Sequence, residues 1–184
     1  MHNDGYNRVK REILLDTGQI PVYDRDLEGL VEDMKISAKS RYALHLMLEL
    51  AMQESGVNLS VKSVAEVHGI SEKYLEQIIP VLVRGGFVKS VRGAKGGYHL
   101  VNDPEDYTVG QILRLVEGGI APVSCLDDEI NQCVRCKDCV TLDLWEQVDR
   151  AISNVVDHVT LADLVDKQRR IDARCKGHAG CHCH

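Results

Sequence analysis

The sequence has no apolar run approaching the roughly 18 residues that a membrane-spanning helix needs, and its N-terminus, MHNDGYNRVKREILLD, has no hydrophobic core of the signal-peptide kind. It also has no internal repeat, no phosphate-binding loop, and no pairing of a nucleophile with a base. These absences predict a cytoplasmic protein that contacts no membrane and is not an enzyme. The hydrophobic fraction of 44% and the charged fraction of 27% are typical of a globular chain.

The net charge of −6 is unevenly distributed, which matters for nucleic-acid binding. Residues 34–100 carry nine Lys and Arg against five Asp and Glu, whereas residues 1–33 carry four against eight and residues 101–184 nine against fifteen. Because a phosphate-binding footprint is local, a basic module can bind DNA within an acidic chain. Residues 1–33 have weak periodicity and are predicted to be a weakly structured N-terminal extension. Met34, where the pattern sharpens, is a candidate for the natural start.

Three helices are predicted in the first part of residues 34–119. The first covers residues 39–54, the second follows a cap at Ser60 and ends at Gly69, and the third follows Ser71. Pro80 lies inside the third helix and predicts a kink or a break, because proline lacks a backbone N–H. The predicted inward positions are Ala43, Leu44, Met47, Leu48 and Ala51 in the first helix and Leu75, Ile78, Ile79, Leu82 and Val83 in the third.

The second and third helices, joined by a tight turn, indicate a helix-turn-helix. The segments FVKSV and YHLV alternate as strands around a basic, glycine-rich turn, RGAKGG, which is typical of a wing. Gln77 can pair with adenine and Glu76 with cytosine, although Glu76 can equally serve the helix dipole, and Tyr74 is a residue type that more often packs. The candidate DNA-binding residues are Lys39, Arg41, Ser71, Lys73, Tyr74, Glu76, Gln77, Arg92 and Lys95.

A cysteine-rich loop is predicted over residues 120–140, with four of the seven cysteines at Cys125, Cys133, Cys136 and Cys139. The last three follow the Cys-x2-Cys-x2-Cys spacing of cluster-binding ferredoxins. Cysteines in a cytosolic chain favour metal or redox chemistry over disulfides. Spacing alone leaves open an iron–sulfur cluster, a tetrahedral zinc site and plain reduced thiols. A cluster-bearing electron carrier or enzyme is the rival function, although a wing has no use in a carrier.

Residues 141–172 are predicted to form a long dimerisation helix and a return helix. The long helix starts near Thr141 and carries apolar residues at 3-4-3-4 spacing, a seam that requires a partner helix. The seam residues, and hence the predicted homodimer interface, are Trp145, Val148, Ile152, Val155 and Val159. Residues 173–184 are predicted to be a disordered tail that forms either a second metal site or an end with adventitious affinity. Its candidate ligands are Cys175, His178, Cys181, His182, Cys183 and His184.

These segments together resemble the Rrf2 family of bacterial transcription regulators, in particular its IscR-like, iron–sulfur-binding branch. The resemblance covers residues 34–172 and rests on MKISAKSRYAL, ISEKYLEQI, GGFVKSVRGAKGGYHL, YTVGQILRLVEG with the cysteines after it, and TLADLV. It implies a mainly α fold, a winged helix-turn-helix with a small β-wing plus a long dimerisation helix. It further implies a homodimer that binds double-stranded DNA at a pseudo-palindromic operator.

In the iron–sulfur members of this family three cysteines hold the cluster, and Cys125, Cys133 and Cys139 match them. The spacing from Cys125 to Cys133 is longer than usual, Leu142 replaces a histidine ligand, and Cys136 is additional. We therefore expect a [2Fe–2S] or [4Fe–4S] cluster with Cys136 as the fourth ligand, although other members use an acid from the partner subunit. The resemblance also allows a regulator without a cluster, either zinc-bound or controlled by a cysteine-metabolism enzyme.

Overall fold

The computed structural model describes residues 36–54, 56–93, 95–128, 130–131 and 133–177, with side chains as far as Cys175. The predicted N-terminal extension and the tail from His178 onward lie outside these residues. The described part is mainly helical with one two-stranded antiparallel sheet, as predicted, and has no helix long and apolar enough to cross a membrane. The elements are α1 (Ala38–Met52), α2 (Val61–His68), α3 (Glu72–Arg84), β1 (Val88–Val91), β2 (Gly97–Leu100), α4 (Val109–Glu117), α5 (Leu142–Val156) and α6 (Leu161–Gly177).

The hydrophobic core is built from α1, α3, α4 and α6, with fully buried side chains contributed by each helix. In α1 the buried leucines are Leu46 and Leu50, whereas Leu44 and Leu48, predicted to face inward, are only partly buried. The other three residues of α1 predicted to face inward are buried. Periodicity therefore found the face that packs on α3 and α4 only in part, because α1 is apolar on several faces. Val83 of α3 was also predicted to face inward and is 38% exposed.

The helix-turn-helix is set by local capping. Ser60 accepts a hydrogen bond from Ser63 N–H and Ser71 one from Tyr74 N–H, so both hydroxyls satisfy free N–H groups at helix starts. Gly69 ends α2 in the left-handed region at φ 62°, where glycine carries no Cβ penalty. Pro80 was predicted to kink or break the third helix, and no break occurs: α3 continues through this exposed residue to Arg84.

The wing is the β1–β2 hairpin, paired from Val88↔Leu100 to Val91↔Gly97. Leu59, just before α2, adds an isolated antiparallel bridge to Tyr98. The amide of each residue donates to the carbonyl of the other at 2.9 Å. The wing is therefore fastened to the segment that enters the helix-turn-helix.

The last three helices follow the wing. Thr108 and Gln111 form the predicted capping box of α4, which ends at Gly118 with φ 88°. None of the residues of α5 is buried, and Val159, predicted to belong to its apolar seam, lies beyond the end of the helix at Val156. Helix α6 continues to Gly177, past residue 173 where the disordered tail was predicted to begin.

Candidate DNA-binding surface and cysteine loop

Four of the predicted DNA contacts are exposed at the start of α3: the capping residue Ser71, and Lys73, Glu76 and Gln77 on the helix itself. The exposed face of α3 is fixed because Leu75, Ile78 and Leu82, on the opposite side of the helix, are fully buried. The Ser71 hydroxyl is already committed to the Tyr74 amide at 3.2 Å. The side chains of Lys73, Glu76 and Gln77 are thus the ones that α3 presents outward.

Three other predicted DNA contacts make interactions within the chain. The Tyr74 ring packs edge-on against Tyr42, with centroids 5.4 Å apart, which is a typical aromatic packing geometry. The Arg41 guanidinium lies 5.8 Å from the centre of the Tyr42 ring. Lys39 Nζ donates to the carbonyl of Val116 at 3.3 Å, placing its charge at the C-terminal end of α4, where the helix dipole favours a cation.

The wing tip carries Arg92 and Lys95, both exposed. Asn58 holds the base of the tip, because its amide nitrogen donates to the Lys95 carbonyl at 3.0 Å and its amide oxygen lies 2.9 Å from His99 Nδ1. Sequence reasoning missed Asn58. Gly97 was the available signal, since a Cβ there would lie 2.6 Å from the Leu59 carbonyl oxygen, so glycine marks the place where the two backbones meet.

A second polar group that sequence reasoning missed joins α1 to α2. The rings of His45 and His68 lie 4.7 Å apart, and His68 Nε2 is 3.0 Å from a Glu49 carboxylate oxygen. Burial lowers the pKa of His45, and the neighbouring His68 lowers it further. The contact between the His45 and His68 rings is therefore part of the packing of α1 against α2.

The cysteine loop is organised by short-range hydrogen bonds. The amide of Cys133 donates to the side-chain oxygen of Asn131 at 2.9 Å, and that of Cys136 to the Cys133 carbonyl at 3.1 Å. Cys139 Sγ lies 3.4 Å from the Thr141 hydroxyl, and this hydrogen bond lowers the pKa of the thiol. Cys125, Cys133, Cys136 and Cys139 are all free thiols and partly exposed.

The donor set of this loop is one that suits a metal. Four free thiols are the ligands that iron–sulfur clusters and zinc prefer. Among the residues that the structure describes, however, no three Cys, His, Asp or Glu side chains are grouped closely enough to hold a metal ion.

The loop leads into α5, whose C-terminal end is tied to α4 by a forked ion pair. Arg114 Nη1 donates to one oxygen of Asp157 at 2.5 Å, and Nη2 donates to the other oxygen and to the Ser153 hydroxyl, both at 3.0 Å. These contacts raise the pKa of Arg114 and lower that of Asp157, with the side-chain hydrogen bond as the largest cause in each case. Sequence reasoning missed this pair, whose members are 43 residues apart.

A capped helix-turn-helix followed by a fastened β-wing defines the winged-helix class of DNA-binding proteins. Within this class the family model for Rrf2, described as an iron-dependent transcriptional regulator, matches residues 36–167. The chain belongs to the Rrf2 family of transcriptional regulators. Members of this family bind DNA, and the relatives are regulators rather than enzymes.

Three matches give the scale of the similarity. The HTH-type transcriptional regulator CymR of Bacillus subtilis is 43% identical over 131 residues, covering 71% of this chain and 89% of CymR. The solved structure of CymR, described as the global cysteine regulator of B. subtilis, has 40% identity and a TM-score of 0.60, covering 72% of this chain and 97% of that one. The structure of T. potens IscR has 40% identity and a TM-score of 0.59, covering 73% and 88%.

Proposed function

We propose that the protein is a sequence-specific transcription regulator that binds a pseudo-palindromic operator as a homodimer. The observation that carries this proposal is the outward face of α3 beside a wing whose base is fastened to the helix-turn-helix. Two symmetric recognition helices would meet half-sites about one helical turn apart, roughly 34–36 Å.

Direct reading of bases is assigned to α3 and positioning to the wing. Gln77 can make two hydrogen bonds to adenine in the major groove, and Glu76 can accept one from the amino group of cytosine. Arg92 and Lys95 project from the wing tip toward phosphates or the minor groove. Lys39, Ser71 and Tyr74 serve the fold through the contacts described above, so they support this surface rather than read sequence.

The homodimer is proposed to form along α5. Trp145, Val148 and Ile152 are only partly buried in the isolated chain, and Val155 is 62% exposed. These residues occupy one face at the spacing of a helix–helix seam. Packing this face against the same face of a second copy would remove the apolar surface of both from water.

The cysteine loop is proposed to hold an iron–sulfur cluster through Cys125, Cys133, Cys136 and Cys139. Such a cluster would supply redox chemistry and sensitivity to oxygen, nitric oxide or iron supply. The chain's part is to provide four thiols, with Thr141 favouring the thiolate of Cys139. The loop joins α4 to α5, so a cluster that holds the loop in one conformation would bias the angle between the DNA-binding domain and the dimerisation helix. A coupling free energy of about 1–3 kcal/mol between cluster binding and DNA binding changes operator affinity about 5- to 150-fold.

A regulator of cysteine metabolism without a cluster is the second candidate, favoured by the 43% identity to CymR. In that case the four thiols would bind zinc or remain free, and a partner enzyme would supply the signal. The absence of a ready-made metal group in the described loop is compatible with both candidates.

The test is anaerobic purification of the full chain, followed by native mass spectrometry, visible absorbance and iron and zinc analysis. Iron, sulfide and visible absorbance that disappear in Cys133→Ala but persist in Cys175→Ala support the cluster. A colourless protein containing one zinc per loop, or no metal, supports the second candidate instead.

DNA reading is tested separately on duplexes selected from random sequence. Arg92→Ala should weaken binding to all sequences, Gln77→Ala should relax specificity at one position, and Arg84→Ala at the far end of α3 is the matched control. Operator binding that is unchanged in both Arg92→Ala and Gln77→Ala would contradict the assigned surface.

A further inference from the structure

Helix α5 is tied to α4 by side-chain hydrogen bonds at one end only among the residues that the structure describes. The Arg114 fork reaches Ser153 and Asp157, at the C-terminal end of the helix, while the cysteine loop enters at its N-terminal end. Because α5 has no buried residue, the body of the chain does not enclose it. Its direction is therefore set mainly where the fork holds it.

Backbone contacts reinforce the same end. Immediately after α5, the carbonyl of Val159 accepts a hydrogen bond from Val109 N–H at 2.9 Å, and Leu161 N–H donates to the Tyr107 carbonyl at 2.8 Å. Gly110, on the first turn of α4, makes the close approach possible, since a Cβ there would overlap the Asp157 carboxylate and press on the Arg114 guanidinium. The junction of α5 and α6 is thus docked onto the start of α4.

Helix α4 connects this junction to the recognition helix. Ile112 and Val116 of α4 are buried in the core, and α4 packs against both α1 and α3. A rotation of α5 about the fork is therefore a rotation relative to the rigid body that carries α3. Arg114 and Asp157 are each 38% exposed, so their pair adds little stability, but two parallel N–H···O bonds define an orientation sharply.

We propose that the Arg114–Asp157 fork is a specificity-determining contact that fixes the spacing of operator half-sites. The inference rests on the proposed homodimer along α5. The 15 residues of α5 span about 22 Å at 1.5 Å per residue. A tilt of about 10° at the fork moves the far end by roughly 4 Å, close to the ~3.4 Å that separates neighbouring base pairs. One base pair also rotates the second half-site by about 34–36° around the DNA axis. Fitting a spacer that differs by one base pair therefore requires α5 both to tilt and to turn, and a closed fork opposes both movements.

The experiment measures equilibrium binding of the full, anaerobically purified chain to a spacer series by fluorescence anisotropy. The duplexes carry two selected half-sites at the preferred spacing or one or two base pairs longer or shorter, and one duplex carries a single half-site. The wild type should lose about tenfold or more for one added base pair, because the second half-site no longer meets its helix. Asp157→Asn should lose less than about threefold while binding the single half-site within about twofold of the wild type.

Two further variants keep the result interpretable. Gly110→Ala displaces the Asp157 carboxylate sterically without removing either charge. It should therefore weaken the dependence of DNA affinity on spacer length. Glu146→Gln removes the exposed pair between Glu146 and Arg150, 3.9 Å apart on the same helix, and should leave the profile sharp.

The outcomes separate this inference from the proposed function. A sharp profile in Asp157→Asn, or an equal loss at every duplex including the single half-site, overturns the spacing role while the operator-binding dimer stands. A wild type that is monomeric or indifferent to spacing overturns the proposed dimer, and the spacing role with it.

Discussion

Removing the Tyr107 hydroxyl should destabilise the junction between the wing and α4. Tyr107 is 2% exposed; its oxygen accepts the Asn102 N–H at 2.7 Å, and its O–H donates to the Phe87 carbonyl at 3.1 Å. Tyr107→Phe removes both hydrogen bonds. At about 0.5–1.5 kcal/mol each, the loss is about 1–3 kcal/mol. The lower part of that range applies, because the Phe87 carbonyl keeps its second hydrogen bond from Val101 N–H.

The measurement is urea unfolding followed by circular dichroism, with thermal unfolding as a second readout. Tyr107→Phe should lower the urea midpoint with an unchanged m-value, and the melting temperature should fall by about 2–4 °C for each kcal/mol in a chain of this size. Tyr98→Phe is the matched control, since the Tyr98 hydroxyl has no hydrogen bond to the described residues. Its stability should change by less than about 0.5 kcal/mol. Equal midpoints for the two variants would refute the assigned hydrogen bonds.

The same hydroxyl predicts a dependence on alkaline pH. Burial raises the pKa of Tyr107 above its ordinary value of 10.0, although backbone hydrogen bonds from Asn102 and Val101 oppose this. The folded protein therefore retains a proton that the unfolded chain loses, so the stabilisation is complete below pH 10 and falls as the pH rises above it. Tyr107→Phe should remove this part of the loss of stability at alkaline pH.

Two further predictions concern the wing and the fork. Gly97→Ala should push the wing strand away from the Leu59 carbonyl and cost about 1–3 kcal/mol in strain, which urea unfolding would measure. It should also weaken DNA binding, measured by fluorescence anisotropy. An unchanged operator affinity would show that the wing takes no part in DNA binding. Asp157→Asn should reduce the loss of unfolding free energy at acid pH, because Arg114 lowers the pKa of Asp157 below 3.8. The small stabilisation it gives is present above that pH and lost as the pH falls below it. A direct titration of the Asp157 carboxyl by NMR that finds no lowering of its pKa would contradict the ion pair.

The parts of the fold that were predictable from sequence are those made by residues close together in the chain. The caps at Ser60 and Ser71 and the box of Thr108 with Gln111 each join residues three apart. Such contacts depend on residue type and spacing alone. The hairpin followed in the same way from alternation on both sides of a glycine-rich turn.

The parts that were not predictable depend on distant partners. The Asn58 amide meets the wing 37 residues later, Lys39 meets α4 after 77 residues, and the Arg114 fork closes over 43. No local pattern marks such a partner. The buried face of α1 was predicted only in part for a related reason, since a helix apolar on several sides leaves the choice of buried face to its neighbours. The four cysteines of the loop were identifiable from residue type and spacing, whereas no local pattern gives their arrangement in space.

The exposed apolar side chains of the second half of the chain connect the cysteine loop with the proposed dimer seam. Val134 and Val140 are 97% and 95% exposed in the loop, and Leu144 and Val155 are 53% and 62% exposed on α5. A second copy that covered these side chains would remove their apolar surface from water. If the second copy covers the loop as well as the seam, a ligand of the loop must bind the dimer and the monomer with different affinity. By linkage that ligand then shifts the dimerisation equilibrium by the same factor, so dimer strength measured with and without metal reports on the loop without any DNA present.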